Sequence, residues 1–411
     1  MKMLNISGEY TNAVVYTDNI DKCAYEQIKE LCGHFAMRNS VIRVMPDCHA
    51  GSGCVIGFTA VLNEKRIIPN IVGVDIGCGV MSTVFRTGRD INFKALDEYI
   101  RRNIPSGMNI HDTAPEYISF HSDLVHEIDN ICRIIGAQDK RDIFLNSIGT
   151  LGGGNHFIEI GRISENTYML SVHTGSRSLG LNICKYFQRN GSVIDEDLKR
   201  TILEKHRTAA TAQEHLAIQH EIESMQAVDS KLAYISGEMY ENYISCMINA
   251  MNYARANRRC ISDSIINYLL LNENAEEIER FDTVHNYIDR LDDGRIIIRK
   301  GAISANSGER LCIPLNMRDG IIVGTGKGNA EWNNSAPHGA GRALSRSQAR
   351  NSVTLEEYAD SMKGVFTWSV SESTVDESPM AYKPSDEIIR CLADTVDIEY
   401  IARTIYNFKA E

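Results

Sequence analysis

Between Val41 and Arg86 the chain runs VIRVM, CVIGFTAVL, IIPNIVGVDI and VMSTVF, with glycine, proline, aspartate and a few polar residues interrupting them. Apolar runs this short, bounded by turn formers, predict strands joined by tight turns and leave no room there for a long helix. Strand-like runs return after Asp289 as RIIIRK and GIIVGT, followed by a glycine-rich loop over Gly324–Gly328 and a helix expected from Gly341 to Ala349. Between these blocks a 3.6-residue period predicts helices around Asn92–Arg102, Glu127–Ile135 and Asp195–His206. A longer helical pair is expected over Lys231–Ala256 and Ile261–Asn272, so the middle of the chain reads as mostly α. No repeat, Pro/Ser-rich linker or low-complexity block marks a boundary. The expectation is an α+β fold: one compact domain over residues 1–411 with mixed sheets and a helical insertion at about Asp195–Asn274.

Composition narrows the function. With 411 residues, 43% of them apolar, the chain buries a large core. A net charge of −11 argues against a protein that coats nucleic acid through its overall field, while leaving room for a local basic site. The eleven cysteines are scattered and form no paired framework, which points to reduced thiols, one or more of them free to bind metal. The start, MKMLNISGEYTNAVVYTDNI, lacks the basic region and apolar run expected of a secretory leader, and no run approaches the roughly 18 apolar residues that span a bilayer. The reading is a soluble, cytoplasmic protein without membrane partners.

Five segments combine metal-ligand residues with glycine: PDCHAGSG (46–53), GVDIGCGV (73–80), LGGGNHFIEI (151–160), SVHTGSRSLG (171–180) and APHGAGRALSR (336–346). Glycine permits close backbone approach, so such turns can aim N–H groups at phosphate oxygens. Asp75 and Cys78 stand three residues apart in one such turn and can face a single cation. Taken alone, Cys78 reads equally as a packed thiol, and His156 or His173 as a core histidine. With His285 of FDTVHNYID they make a mixed O, N and S set sufficient for two divalent ions, with Cys78 able to bridge; Mn²⁺, Co²⁺ and Zn²⁺ all suit it. His338 precedes Gly-Ala-Gly-Arg, with Ser345 and Arg346 further on. Small residues admit a nucleotide, arginines hold phosphates and a neutral imidazole attacks phosphorus; the plain alternative is a polar turn before a helix.

These segments, in this order, resemble the RtcB family of RNA-splicing ligases. The likeness extends through AMNYARANRR and RKGAISANSGE to the terminal YNFK. It implies a distinctive α+β fold built around a dinuclear metal site. The implied reaction joins RNA ending in a 2′,3′-cyclic phosphate or 3′-phosphate to RNA beginning with a 5′-hydroxyl, with GTP and two Mn²⁺ ions. By the same resemblance, Cys78 is the bridging thiolate, with Asp75 and His156 completing one ion's protein ligands and His173 and His285 the other's. His338 is the guanylylated nucleophile. Asn155, Phe157, Glu159, Asn286 and the Gly339-Ala340-Gly341 turn cradle GMP, Lys409 contacts guanine, and Arg177 and Arg346 clamp phosphate ends. The implied partners are GTP and RNA with broken ends, such as tRNA or rRNA fragments, with an accessory protein compatible.

The chain also departs from the family. Ser52 stands where the family's PDxHxGKG turn has lysine, and Pro314-Leu315-Asn316-Met317-Arg318 replaces the PGSMG segment, so nucleotide contacts from Pro314 and Met317 belong to an altered loop. GTGKGNAEWNNSAP before His338 is atypical, and its Lys327 and Trp332 are expected to offer a basic, stacking surface to an RNA end. These differences favour a divergent branch that repairs damaged RNA instead of splicing tRNA. Two rivals remain on the sequence: a dinuclear metallophosphoesterase acting on RNA cyclic phosphates, and a non-catalytic RNA-binding protein.

Overall fold

The computed structural model describes residues 3–410 apart from 224 and 226. The runs between 41 and 86 form strands, as their β-branched content and bounding turns demand. Strands β1 (Leu4–Ser7), β2 (Asn12–Val15), β3 (Val41–His49), β4 (Ile56–Leu62), β5 (Gly79–Arg86), β6 (Phe157–Ser164) and β7 (Thr167–Thr174) precede the long helix of the chain. After it come β8 (Glu276–Val284), β9 (Asn286–Arg290), β10 (Ile296–Lys300), β11 (Arg310–Asn316), β12 (Gly320–Gly326) and β13 (Val396–Lys409). One six-stranded sheet has the order β1-β2-β3-β4-β10-β9, antiparallel except for the β2–β3 pair. A seven-stranded sheet, antiparallel throughout, runs β8-β5-β7-β6-β13-β12-β11. In it β13 joins the β11–β12 hairpin to the β6–β7 hairpin. The fold is therefore mixed α+β, as the residues imply.

Helices α1 (Lys22–Cys32), α2 (Phe93–Asn103), α3 (Ser122–Ile135), α4 (Arg177–Arg189), α5 (Glu196–Thr208), α6 (Ala212–Glu223) and α7 (Gly237–Glu273) cover the sheets and link them. The first half of α7 places Tyr243, Met247 and Ala250 in the core built on the six-stranded sheet. Its second half places Ile261, Ile265 and Leu269 in the core under the seven-stranded sheet, beside Phe85, Leu170 and Tyr406. Each such fully buried aliphatic side chain contributes roughly 1.5–3 kcal/mol of transfer free energy.

Three expectations are corrected. The helical pair over Lys231–Ala256 and Ile261–Asn272 is one 37-residue helix. RANRRC looks like a polar break, but Asn257 and Arg258 are completely buried and hydrogen-bonded, so the helix continues through them. The middle of the chain is mostly α, as expected, and carries one strand hairpin, β6–β7, that lies inside the seven-stranded sheet. The helix expected from Gly341 starts only at Arg346, as α8 (Arg346–Ser352). Gly341 sits at φ +70°, outside helical space, and a capping box between Ser345 and Gln348 sets the helix start. Finally, Trp332 offers no stacking surface. It is buried against Tyr16, ring centroids 3.5 Å apart, and Lys327 is engaged by the Ala393 carbonyl at 2.6 Å and by Asp397 at 3.1 Å.

Candidate metal centre and adjoining cavity

Asp75 and Cys78 lie in the tight turn that enters β5, where Gly77 takes φ +73° and the Cys78 N–H closes onto the Asp75 carbonyl at 3.1 Å. His285 sits in the link from β8 to β9, its N–H on the Cys78 carbonyl at 2.9 Å. His156 immediately precedes β6, and His173 on β7 stands opposite Val80 and Phe157 in the register. Residues scattered from 75 to 285 thus meet at one end of the sheet. Cys78 Sγ is 3.6 Å from His156 Nε2 and 3.3 Å from His173 Nε2. His156 Nε2 is 3.0 Å from Asp75 Oδ2, and His173 Nε2 is 3.3 Å from His285 Nε2. Two ligand groups result, Asp75-Cys78-His156 and Cys78-His173-His285, sharing the thiol.

The chemistry of this donor set fits cations. The His156 and His173 Nδ1–H groups donate to the Leu151 carbonyl at 2.8 Å and the Asn155 carbonyl at 3.0 Å. Each Nε2 therefore turns its lone pair inward. Burial lowers the pKa values of His173 and His285 well below the usual histidine value, which keeps both imidazoles neutral. Burial and then the Asp75 charge push the Cys78 thiol well above its ordinary value, so a cation must displace its proton on binding. Burial acts to raise the Asp75 carboxyl, but its close contacts with His156 and Cys78 outweigh it and lower its pKa. Asp75 Oδ1 is buried without any hydrogen-bond donor, as an oxygen awaiting a metal is. Gly175 must be glycine, because a Cβ there lies 2.2 Å from that oxygen.

A cavity of about 850 Å³ opens from the cluster. Every residue expected to bind metal, nucleotide or a phosphate end, and His338, lines it except His156 and Arg177. His338 stands beside His285 with ring centroids 4.9 Å apart, and its Nδ1 donates to Asp47 Oδ2 at 2.8 Å. Asp47 is fully buried. A carboxylate on Nδ1 fixes the tautomer and leaves Nε2 as a lone pair, the arrangement of a nucleophile. Gly341 allows this approach, since a Cβ on it falls 2.4 Å from the Asp47 carbonyl oxygen. The sequence reading missed Asp47 although it quoted PDCHAGSG; its partner is 291 residues away.

At the far end of the cavity Lys409 lies 5.8 Å over the Phe157 ring and binds Glu377 at 3.0 Å. Glu159 accepts from Thr404 at 3.0 Å and Asn407 at 2.9 Å, yet burial pushes its carboxyl up to about 8. Burial opposes the ionised form of Glu377 too, but Lys409 and Arg346 hold its pKa down to about 2. Met317 reaches the cavity with its sulfur accepting from Tyr358 at 3.1 Å, and the Pro314 carbonyl receives the Ala340 N–H at 3.1 Å. Arg346 lies against Asp376 at 2.6 Å and Glu377 at 2.8 Å. Arg177 takes φ +55° and donates to Thr150 at 3.1 Å and the Gly107 carbonyl at 2.8 Å. Below Ser52, Lys300 donates to the Ser52, Cys54 and Asn70 carbonyls, placing an ammonium under a turn that carries no lysine of its own.

A family model described as tRNA-splicing ligase RtcB matches residues 31–410. The chain is 28% identical over 390 residues to the RNA-splicing ligase RtcB of Escherichia coli K12, with 90% of each chain covered. It is 27% identical to the tRNA-splicing ligase RtcB of Methanococcus maripaludis, covering 90% of this chain and 88% of that one. The tRNA-splicing ligase RtcB of Thermococcus kodakarensis is 26% identical over 95% of this chain and 92% of its own.

Proposed function

The chain belongs to the RtcB family of RNA-splicing ligases, and from that premise we propose that it is a GTP- and Mn²⁺-dependent ligase that joins RNA 2′,3′-cyclic phosphate or 3′-phosphate ends to 5′-hydroxyl ends. The observation that carries this reading is His338 held through Nδ1 by buried Asp47, with the cavity and the metal-ligand cluster beside it. In it, neutral Nε2 attacks the α-phosphorus of GTP, a P–N bond forms and pyrophosphate leaves. The RNA 3′-phosphate, released from a cyclic end by addition of water that frees the 2′-hydroxyl, then displaces His338 and takes the GMP. The 5′-hydroxyl attacks that activated phosphate, loses its proton and expels GMP.

Asp75, Cys78 and His156 would hold one ion and Cys78, His173 and His285 the other. Ions held there would neutralise phosphate charge and polarise the phosphorus under attack. Lys409, Phe157, Glu159 and Asn286 receive the nucleotide, and Arg177 and Arg346 hold phosphate ends. Contact with RNA confined to broken ends accords with a chain of net charge −11. Among the described residues no helix is long and apolar enough to cross a membrane, in keeping with the proposed cytoplasmic repair of tRNA or rRNA fragments by this single domain with its 195–274 helical insertion.

A hydrolytic phosphoesterase could use the same five ligands but leaves the His338–Asp47 pair without a task. The test is incubation with α-labelled GTP and Mn²⁺. We expect an acid-labile covalent guanylate, absent in His338→Ala and slowed by up to about 10⁴-fold in Asp47→Asn, the size of the analogous change beside another catalytic histidine. A His338→Ala protein that still forms the adduct overturns the assignment.

A further inference from the structure

AMNYARANRR in the middle of α7 does not line the nucleotide cavity, yet its Asn257 and Arg258 are completely buried, at 0% exposure. Buried polar side chains are retained where their hydrogen bonds matter, and here the bonds go to the backbone beside the metal ligands. The Asn257 carboxamide oxygen accepts from Gly149 N–H at 2.8 Å and Thr150 N–H at 3.1 Å. Its Nδ2 donates to the Thr150 and Gly175 carbonyls, both at 3.1 Å, and to Thr174 Oγ1 at 3.4 Å. Thr174 Oγ1 in turn donates at 2.7 Å to the Leu151 carbonyl, the group that holds His156 Nδ1.

Arg258 works on the other side. Its Nη1 donates to the Gly77 carbonyl at 2.7 Å, next to Cys78, and to the Thr174 carbonyl at 2.9 Å, next to His173. Its remaining donors are locked in a two-point pair with Asp282 at 2.6 and 2.7 Å. One helical turn earlier, Ala254 lies so close that a Cβ on Gly77 falls 2.9 Å from its own. Successive helix residues thus join the 75–78 turn, the 149–156 loop and the 173–175 strand end.

We propose that Asn257 and Arg258 are positioning residues of the metal centre, which set the mutual placement of its three ligand loops and the orientation of His156 without touching an ion. This rests on the metal-centre reading above. Outer partners of this kind tune metal affinity by about 10- to 100-fold.

The test uses full-length protein loaded with Co²⁺, whose visible bands and thiolate charge-transfer band report coordination, together with chelator competition for affinity. In Asn257→Asp, which keeps the acceptor and loses the Nδ2 donor, and in Arg258→Lys, which keeps the charge and loses the span from Gly77 to Thr174, we expect 10- to 100-fold weaker Co²⁺ binding and shifted bands. The control is Ser262→Ala, which removes a buried 3.0 Å bond from the same helix to Thr83 of β5, away from the loops. It should lower Tm without moving the spectrum. Unaltered spectrum and affinity in both Asn257→Asp and Arg258→Lys, or an equal change in Ser262→Ala, overturns the proposal. Absence of the thiolate band in the parent protein instead overturns the metal-centre reading on which it rests. Should Arg258→Lys fail to fold, Asn257→Asp decides the matter.

Discussion

Glu159 is a carboxyl on which two forces compete. Donors from Thr404 and Asn407 favour its charge, and complete burial opposes it and wins, raising its pKa from 4.5 to about 8. A folded state that holds a proton more tightly than the unfolded one loses stability as pH rises, here between about 4.5 and about 8, by a few kcal/mol at most. Glu159→Gln should flatten that alkaline decline in a Tm-against-pH series while leaving Tm below pH 4.5 nearly unchanged. A decline identical to the parent's would assign the effect elsewhere. The variant is tolerable because Asn407 Oδ1, buried without a donor, can accept from the new amide after a flip. Residues of this kind mark the limit of sequence reading. Asp75, Cys78 and His338 announce themselves through glycine-rich neighbours, whereas Asp47 acquires meaning only from a histidine 291 residues away, and Asn257 only from the two ligand loops it bridges.

Among the elements, α7 and the turn into β5 depend on each other. Gly77 combines φ +73° with backbone so near α7 that a Cβ meets the Ala254 methyl at 2.9 Å and Met251 Cα at 3.1 Å. Gly77→Ala is strained on both counts. It should cost about 1–3 kcal/mol of stability and displace Cys78 enough to weaken metal retention, read by elemental analysis after gel filtration. Full metal content at parental stability would show that the turn has slack. The short strands of 41–86 were legible because their apolar runs and turn formers act locally. The unbroken course of α7 was not, because whether Asn257 and Arg258 end a helix or lie buried within it depends on acceptors the surrounding sequence does not contain. β13 was overlooked for a related reason: its polar and apolar residues alternate imperfectly, and a bulge between Thr404 and Tyr406 resets its register.

For the molecule as a whole, a net charge of −11 and arginines already matched to carboxylates set how RNA can be held. Binding of a short single-stranded RNA end should show a shallow salt dependence, a log–log slope of about −1.5 to −3 for two to four neutralised phosphates. A slope beyond about −5 would demand a broad basic face and contradict contact limited to broken ends. The place of β13 between β6 and β12 also has a bearing on biosynthesis. Glu159 emerges from the ribosome 248 residues before the Asn407 that pairs with it, an interval of roughly 12–50 s at ordinary elongation speed. Throughout that interval the outer rim of β6 is a bare row of amides and carbonyls, open to any extended segment nearby. A stalled or truncated nascent chain would therefore present a sticky template together with half a catalyst, and the last strand to arrive both seals that template and supplies the lysine at the end of the cavity.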